Sequence, residues 1–225
     1  MVSIERTRDV WKRAADFPSN KEYVYPEHAQ VQEFVTNSQK KVFEYGCGGG
    51  ADTLSYLRRM CKVWYADVVK ENVERTTHRV LESGKKGHAW GLVLDDSAPI
   101  PLGAGYFEIV NCHGVLHHIA DEKMVEFVLR EFHRLLVSGG ALYLMLYTEH
   151  MWSDFSVQMA SLLSQHRVAD KFEAFGWCSD GEEVPYARCY SEIEGRVLLK
   201  SAGFEVATVS LYNHNHFRTF KAIKP

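Results

Sequence analysis

The sequence predicts an α/β protein built on one open, mostly parallel sheet of six to seven strands, with helices on both faces. Between residues 41 and 147, apolar strand-like runs alternate with helical segments. Those runs are apolar on both faces, which is typical of parallel strands covered on each side. The first run, Lys41–Tyr45, ends in Gly46, Gly48 and Gly50 and leads into a helical segment, so it predicts a strand, a tight turn and a helix.

The elements that follow keep this rhythm. Asp121 is the predicted N-cap of one helix, and Gly139 with Gly140 marks the stop after it. Further strands are predicted at Val63–Ala66, Trp90–Leu94, Phe107–Cys112 and Ala141–Tyr147, and helices at Thr53–Arg59, Val69–Glu82 and Glu122–Leu136.

The two ends extend the same domain. Helices are predicted over residues 5–17 and 27–37, with Pro26 as a start signal. A helix at Ser191–Ala202 is ended by Gly203, and Phe204–Tyr212 and Phe217–Ile223 form an antiparallel closing pair. We therefore expect one domain over 1–225, with an N-terminal helical cap (1–40), a core (41–147), a variable substrate or lid segment (148–190) and a C-terminal helix and strand pair (191–225).

Composition narrows the class of protein. The chain has 225 residues, 46% of them hydrophobic and 24% charged, which suffices for one large core. No apolar stretch approaches the roughly 20 residues of a membrane span, and the N-terminus lacks a signal-peptide core. Five cysteines at irregular spacing predict a cytoplasmic protein without a disulfide framework. The net charge of −3 argues against nucleic acid as a partner. The cysteines and histidines lack the spacing of a zinc site, so no metal is expected.

The glycine turn predicts a nucleotide-like ligand. Glycines adopt φ > 0 and let the backbone approach a ligand, and the helix that follows presents free N–H groups. The spacing Gly46-x-Gly48-x-Gly50, with Glu44 ahead of it, differs from the dinucleotide pattern. Asp67 ends the second strand about 20 residues on, where a ribose-binding carboxylate is expected; the alternative is a solvated loop acid.

These segments together resemble the class I S-adenosylmethionine-dependent methyltransferases, from about residue 40 to 147. Residues 44–50 match the family's E/D-x-G-x-G-x-G motif, and Asp67 matches its ribose-binding acid. Asp96 and Ser97, followed by residues 100–102 and 106–110, resemble the segment that binds the adenine edge. Residues 115–121 are similar to the V-L-H-H-I-x-D stretch of the ubiquinone/menaquinone-type subgroup.

Two positions depart from the pattern, since Ser138 replaces a proline and Glu108 replaces an aspartate. The resemblance implies a Rossmann-like fold and S-adenosyl-L-methionine as cofactor. It assigns to that cofactor Glu44, Gly46, Cys47, Gly48, Gly50, Asp67, Val68, Asp96, Ser97, Cys112, His113 and His117. Gly46 and Gly48 would approach the methionine part, and Glu44 would accept from its ammonium, directly or through water. Cys47 supplies a backbone contact or is simply a small residue that fits the turn.

The methyl acceptor is expected near the histidines after the fourth strand, where open α/β sheets bind ligands. His113 is the leading candidate for a base. Of His117 and His118, one is expected to face the cofactor and the other to pack against the sheet. The alternative is that all three are framework histidines bonded to the backbone.

A second candidate cluster precedes the last helix. Residues 185–191 resemble the P-Y-x-R-x-Y-S segment of some small-molecule and glycoconjugate methyltransferases. Arg188 would bind a carboxylate or phosphate, and Tyr186 and Tyr190 offer aromatic faces with hydroxyls; the alternative is an ion pair of Arg188 with Glu192 or Glu194. The expected catalytic set is His113, His118, Tyr186 and Arg188.

Two further segments carry expectations of their own. Some aromatic residues before this cluster are expected to form an apolar lid that excludes water and others to be core; they are Trp152, Phe155, Phe172, Phe175 and Trp177. His214-Asn215-His216 is expected to be a turn between strands, because a nuclease reading lacks the surrounding hairpin and helix.

The sequence thus predicts an enzyme that methylates a small molecule, or a small group on a nucleotide, sugar or lipid-like precursor, by direct in-line transfer. A nucleic-acid methyltransferase is the first alternative, although the fourth strand ends Val110-Asn-Cys-His without the N/D-P-P-Y/F of amine methylation. The second is a non-catalytic S-adenosylmethionine-binding regulator or partner protein. The sequence indicates neither the acceptor nor an oligomeric state.

Overall fold

A seven-stranded sheet in the order β3-β2-β1-β4-β5-β9-β8 forms the centre of the computed structural model. Residues 39–95, 98–119, 121–150, 177–179, 186–212 and 215–225 are described by the structure. The predicted helices over 5–17 and 27–37 lie outside the described residues, as do Asp96, Ser97, His214 and most of segment 148–190 with Trp152, Phe155, Phe172 and Phe175.

The strands are β1 (Lys41–Tyr45), β2 (Lys62–Asp67), β3 (Ala89–Val93), β4 (Phe107–His113), β5 (Leu136–Tyr147), β6 (Trp177–Ser179), β7 (Tyr186–Arg188), β8 (Glu205–Tyr212) and β9 (Phe217–Ile223). The helices are α1 (Ala51–Arg58), α2 (Lys70–Glu82), α3 (Glu122–Leu135) and α4 (Glu192–Ser201), with 3₁₀ turns at Lys86–His88 and Leu116–His118. Strands β6 and β7 form a separate two-stranded sheet that the sequence did not predict.

The first five strands of the large sheet are parallel, and the last two are antiparallel, which confirms the predicted fold class. Strands β2 and β3 lie on one side of β1, whereas β4 and β5 lie on the other. The chain therefore reverses direction across the sheet between β1 and β4. Ligands of open α/β sheets bind at the carboxyl ends of the strands at such a point.

Apolar side chains cover both faces of the sheet. One cluster joins the first two helices to the strands through Tyr56, Leu57 and Val73. The other lies under α3 and α4 and includes Phe132 and Phe220. The helices on both faces are therefore held by two cores that share the central strands.

Local signals explain the helix ends. Asp121 caps α3 by accepting from Lys123 N at 2.9 Å, as predicted. Ser191 and Glu194 form a reciprocal capping box at the start of α4, in which each side chain accepts from the other's backbone N–H.

Strand β5 differs from its prediction, because it begins at Leu136 immediately after α3 instead of at Ala141. Leu136 pairs with Phe107 and Ala141 pairs with Ile109. The chain thus advances five residues along β5 while it advances two residues along β4. Gly139, at φ 76°, lies in this irregular part. The glycine pair therefore marks a bulge inside the strand, because glycine accepts the left-handed backbone that a bulge requires.

Candidate functional site

The glycine turn lies at the carboxyl end of β1 and is tied to β2. The N–H groups of Gly46 and Cys47 both donate to Ala66 O, at 2.7 and 2.9 Å. Gly46, Gly48 and Gly50 have φ of 78°, 47° and 78°, which is the left-handed region that favours glycine. The predicted turn therefore has the backbone that its composition implies.

The three glycines differ in what surrounds them. A Cβ on Gly46 would overlap Val115, and one on Gly50 would come within 2.8 Å of Thr76 Oγ1. A Cβ on Gly48 would meet nothing within 4 Å. Gly48 thus faces open space that a ligand can enter, whereas Gly46 and Gly50 let neighbouring side chains pack against the turn.

Asp67 is an interior carboxylate and only 7% exposed, which overturns the alternative of a solvated loop acid. Its Oδ2 accepts from Gly48 N at 3.0 Å and from Asn72 Nδ2 at 3.1 Å, and its Oδ1 accepts from Val69 N at 2.9 Å. Burial raises the pKa of Asp67, and these hydrogen bonds oppose the rise. These hydrogen bonds fix the Asp67 carboxylate beside the backbone N–H of Gly48.

Glu44 is buried at the end of β1 and accepts a hydrogen bond from the Thr53 hydroxyl in the first turn of α1. Its pKa is raised well above the usual range, first by burial and then by the negative charge of Asp52. Glu44 therefore links the strand to the helix on either side of the glycine turn.

A polar network that the sequence analysis missed surrounds His113. Asp52 Oδ2 accepts from Asn111 Nδ2 at 2.9 Å and lies 3.1 Å from His113 Nδ1. Tyr56 donates to Asn111 Oδ1 at 3.1 Å. Asp52 and Tyr56 are four positions apart in one helix and so share a face, and this spacing is the signal that could have found the pair.

His117 and His118 both lie in the interior, at 0% and 4% exposed. His117 stacks on Tyr147 with the ring centroids 3.8 Å apart, and His118 meets the same ring edge-on at 5.6 Å. Burial lowers the pKa of His117 well below its usual value and that of His118 to about 3. Both imidazoles thus pack against one aromatic ring, and the roles expected for His117 at the cofactor and His118 in catalysis stay predictions.

Cys47 and Cys112 are buried thiols near these residues, and burial raises the pKa of each. Val68 packs against the core beneath the site. None of these side chains is a candidate nucleophile, because a buried neutral thiol is unreactive.

Arg188 is engaged by carboxylates of two helices. It pairs with Glu122 at the start of α3 and with Glu194 at 3.3 Å in α4. Its guanidinium carbon lies 4.8 Å from the ring centroid of Tyr190. The pairing with Glu194 is the alternative that the sequence left open, whereas Glu192 pairs with Arg196 instead. Tyr186 lies on β7, and its side chain is outside the described part.

A loop at the other end of the site is held by α3. Glu131 accepts from Ile100 N at 2.8 Å, and Arg134 donates to the carbonyl oxygens of Ile100 and Leu102 at 2.9 and 2.8 Å. Glu131 and Arg134 are joined at 2.7 Å. A small cavity of about 10 Å³ lies between this loop and Tyr45. The loop follows the predicted adenine-binding segment. The sequence analysis did not identify Glu131 and Arg134 as the residues that anchor it.

The charges around the turn suit a cationic ligand. Glu44 and Asp67 are both buried, and the pKa of Glu44 is raised first by burial, with the charge of Asp67 among the other causes. S-adenosylmethionine carries a sulfonium and an ammonium group, and the open space at Gly48 would let its methionine part approach the backbone. Within the described residues, no group of three or more His, Cys, Asp or Glu side chains could hold a metal ion. The same residues include no helix long and apolar enough to cross a membrane.

Comparison with known proteins agrees with this geometry. Residues 43–144 match the family described as "Methyltransferase domain". A ubiquinone biosynthesis O-methyltransferase from Pseudomonas aeruginosa is 29% identical over 115 residues, which make up 51% of this chain and 47% of that protein. The chain spans about half the length, or less, of the curated relatives that it matches.

Solved structures show the same fold over nearly the whole chain. A SAM-dependent methyltransferase from Aquifex aeolicus aligns with a TM-score of 0.64 and 21% identity, covering 95% of this chain and 97% of that one. The 1,6-didemethyltoxoflavin N1-methyltransferase of Burkholderia thailandensis, solved with 1,6-didemethyltoxoflavin and S-adenosylhomocysteine, aligns with a TM-score of 0.71 and 16% identity, covering 100% and 91%. At these identities the likeness establishes the fold.

Proposed function

We propose that this chain, which has the class I S-adenosylmethionine-dependent methyltransferase fold and a methyltransferase domain over residues 43–144, transfers a methyl group to a small molecule. The cofactor is S-adenosyl-L-methionine, which supplies an electrophilic methyl group on its sulfonium sulfur. The observation that carries the proposal is the contact of the Asp67 carboxylate with the N–H of Gly48, beside the open face of the glycine turn.

The chain's own residues bind and orient in this proposal. Asp67 accepts from ribose hydroxyls, and Gly48 lets the backbone approach the methionine part. The N-terminus of α1 faces the methionine carboxylate, which the helix dipole favours. Asp96 and Ser97 serve the adenine edge, and Arg134 donates to the carbonyl oxygens of Ile100 and Leu102, which follow them in the sequence. Alignment of the acceptor with the S–CH₃ bond is the main contribution expected of the protein.

A small acceptor is favoured over nucleic acid by two observations. The chain carries a net charge of −3, whereas nucleic-acid binding depends on a basic surface. The ubiquinone and toxoflavin enzymes named above act on small molecules, as their names state.

The reducing cytoplasm is the proposed compartment, because the four cysteines with described side chains form no disulfide.

Calorimetry of the full chain with S-adenosylhomocysteine tests the cofactor assignment. The variant Asp67→Asn is expected to weaken binding at least tenfold, which is about 1.4 kcal/mol, because it loses a charged acceptor. Asp121→Asn is the matched control, since Asp121 caps α3 on the surface, and it should bind as the parent does. Equal affinity in Asp67→Asn and the control would contradict the assignment.

Methyl transfer is tested with cofactor labelled in the methyl group. A panel of small hydroxyl- and amine-bearing metabolites is compared with tRNA, rRNA and DNA. Label in a small molecule supports the proposal, and label only in polymer would overturn it in favour of a nucleic-acid methyltransferase. Binding of S-adenosylhomocysteine with no label in any acceptor would favour a non-catalytic binding protein.

A further inference from the structure

We propose that Asp52 is a positioning residue that holds His113 in the tautomer with its proton on Nδ1, so that Nε2 accepts a proton from a hydroxyl or ammonium acceptor. The inference rests on the proposed function and adds to it a class of acceptor. It comes from the hydrogen-bonded chain of Tyr56, Asn111, Asp52 and His113.

The direction of the hydrogen bonds can be followed inward from Tyr56. Burial raises the pKa of Tyr56 well above its usual value, so the phenol keeps its proton and donates to Asn111 Oδ1. The Asn111 amide then presents Nδ2–H to Asp52 Oδ2 at 2.9 Å. A flipped amide would instead place Asn111 Oδ1 against the Asp52 carboxylate oxygen, so the carboxylate fixes which end of Asn111 faces it.

Asp52 therefore acts as an acceptor at Oδ2. The same oxygen lies 3.1 Å from His113 Nδ1, and both side chains are buried, at 8% and 5% exposed. An ionised carboxylate can only accept, so His113 must donate from Nδ1. Because a neutral imidazole carries one N–H, its lone pair is then on Nε2.

The network also has a defined place in the fold. Asp52 is in the first turn of α1, directly after the glycine turn, and His113 is the last residue of β4. Strands β1 and β4 are neighbours at the point where the chain reverses across the sheet. The pair thus joins the turn proposed for the cofactor to the strand end where an acceptor is expected.

The chemistry defines the acceptor. As the oxygen or nitrogen of the acceptor forms its bond to the methyl carbon, the bond from that carbon to sulfur breaks and its electron pair stays on sulfur. A hydroxyl acceptor passes its proton to His113 Nε2 as this bond forms, whereas an ammonium acceptor passes its proton to Nε2 first, because its nitrogen has no free electron pair until then. In both cases the negative charge of Asp52 offsets the imidazolium that results. A base at this place serves a hydroxyl or an ammonium group and is not needed by a tertiary amine or a thioether. General-base catalysis contributes typically about 10² to 10⁴ in rate.

Nitrogen NMR of the histidine rings in the full, ligand-free chain tests the tautomer directly. His113→Gln identifies the His113 signals by their loss. The parent protein is expected to show a proton on Nδ1 and a bare Nε2. Asp52→Asn, which is nearly isosteric, and Asp52→Ala should each lose that preference, while Asp121→Asn keeps it. A proton on Nε2 in the parent, or an unchanged tautomer in both Asp52 variants, would overturn the proposal.

The reaction gives a second readout once an acceptor is found in the panel above. Asp52→Asn should lower kcat by about 10²-fold and leave the affinity for S-adenosylhomocysteine within about threefold of the parent, a difference below 1 kcal/mol. Equal losses of kcat and of affinity would mean that Asp52 only supports the fold, and would overturn the positioning role. Failure of the parent to bind S-adenosylhomocysteine would instead contradict the proposed function.

Discussion

At the scale of single residues, burial decides the charge of the ionisable groups near the proposed site. His117 and His118 are surrounded by apolar and aromatic atoms, so their pKa values fall. Glu44 is buried too, but as an acid it responds in the opposite sense, and its pKa rises. The same physical cause therefore keeps all three side chains neutral more readily than in water.

The histidine pair predicts acid sensitivity. In the unfolded chain each imidazole titrates near 6.5, whereas the folded pKa of His118 is about 3. Between these values the unfolded state binds a proton that the folded state excludes. The histidines therefore leave the free energy of unfolding undiminished above about pH 6.5. As the pH falls toward 3, each histidine lowers that free energy by about 1.4 kcal/mol per pH unit. Glu44 has the opposite sign, because its raised pKa makes the folded state hold a proton.

Urea unfolding at about pH 7 and about pH 5.5 measures this dependence across the window in which His118 is neutral only when folded. His118→Gln should show a smaller loss of stability between the two pH values than the parent. His78→Gln is the control, because the His78 side chain is 73% exposed on α2, and it should retain the full loss. A loss in His118→Gln as large as that of the parent would contradict the prediction.

At the scale of elements, α3 has two ion pairs of the same kind in different surroundings. Arg130 and Glu126 are both exposed and pair with each other at 3.1 Å. Among the described residues, neither side chain makes another hydrogen bond. Arg134 and Glu131 instead hold both backbone carbonyls and one N–H of the loop at residues 100–102. The second pair therefore joins the helix to the loop that follows the predicted adenine segment.

This contrast predicts unequal effects of two arginine substitutions. Arg134→Ala should weaken S-adenosylhomocysteine binding about tenfold, or about 1.4 kcal/mol, because the loop loses its anchor. It should also destabilise the fold by about 1–3 kcal/mol, the usual cost of leaving buried partners unsatisfied. Arg130→Ala should change stability by less than about 0.5 kcal/mol and leave binding unchanged. Calorimetry and urea unfolding of both variants measure these effects, and equal binding in the two would contradict the role of the loop.

At the scale of the whole molecule, the sequence predicted what depends on local chemistry. The glycine turn, the Asp121 cap and the alternation of strands and helices are local signals, and the structure contains each of them. The bulge in β5 was missed because it depends on how Leu136 and Ala141 pair with β4. Asp52 was missed for the same reason, since its partners are 59 and 61 positions away in sequence. Contacts between distant elements leave no periodic signal in one chain.

The C-terminal strand pair is joined to the residues that follow β5 by such a contact. Arg218 on β9 is 4% exposed and donates to both carboxylate oxygens of Glu149, at 2.9 and 3.1 Å. It also donates to Tyr190 O at 2.9 Å, and Tyr190 N donates to Tyr147 O at 2.8 Å. One guanidinium thus links Glu149 just after β5, the start of β9, and Tyr190 just before the Ser191 cap of α4.

Removing Glu149 should therefore loosen this junction. Glu149→Ala leaves the buried guanidinium of Arg218 without its carboxylate, which costs about 3–5 kcal/mol for a fully buried pair. Because Glu149 itself is 41% exposed and water can reach the site, we expect about 2 kcal/mol. The hydrogen bond from Arg218 lowers the pKa of Glu149, so the contribution is present at neutral pH and is lost as the pH falls below the carboxyl range. Urea unfolding measures it against Glu192→Ala, whose exposed pair with Arg196 is expected to contribute under about 0.5 kcal/mol. Equal costs in the two variants would show that Arg218 does not depend on Glu149, and that the backbone contacts alone hold β9 to the core.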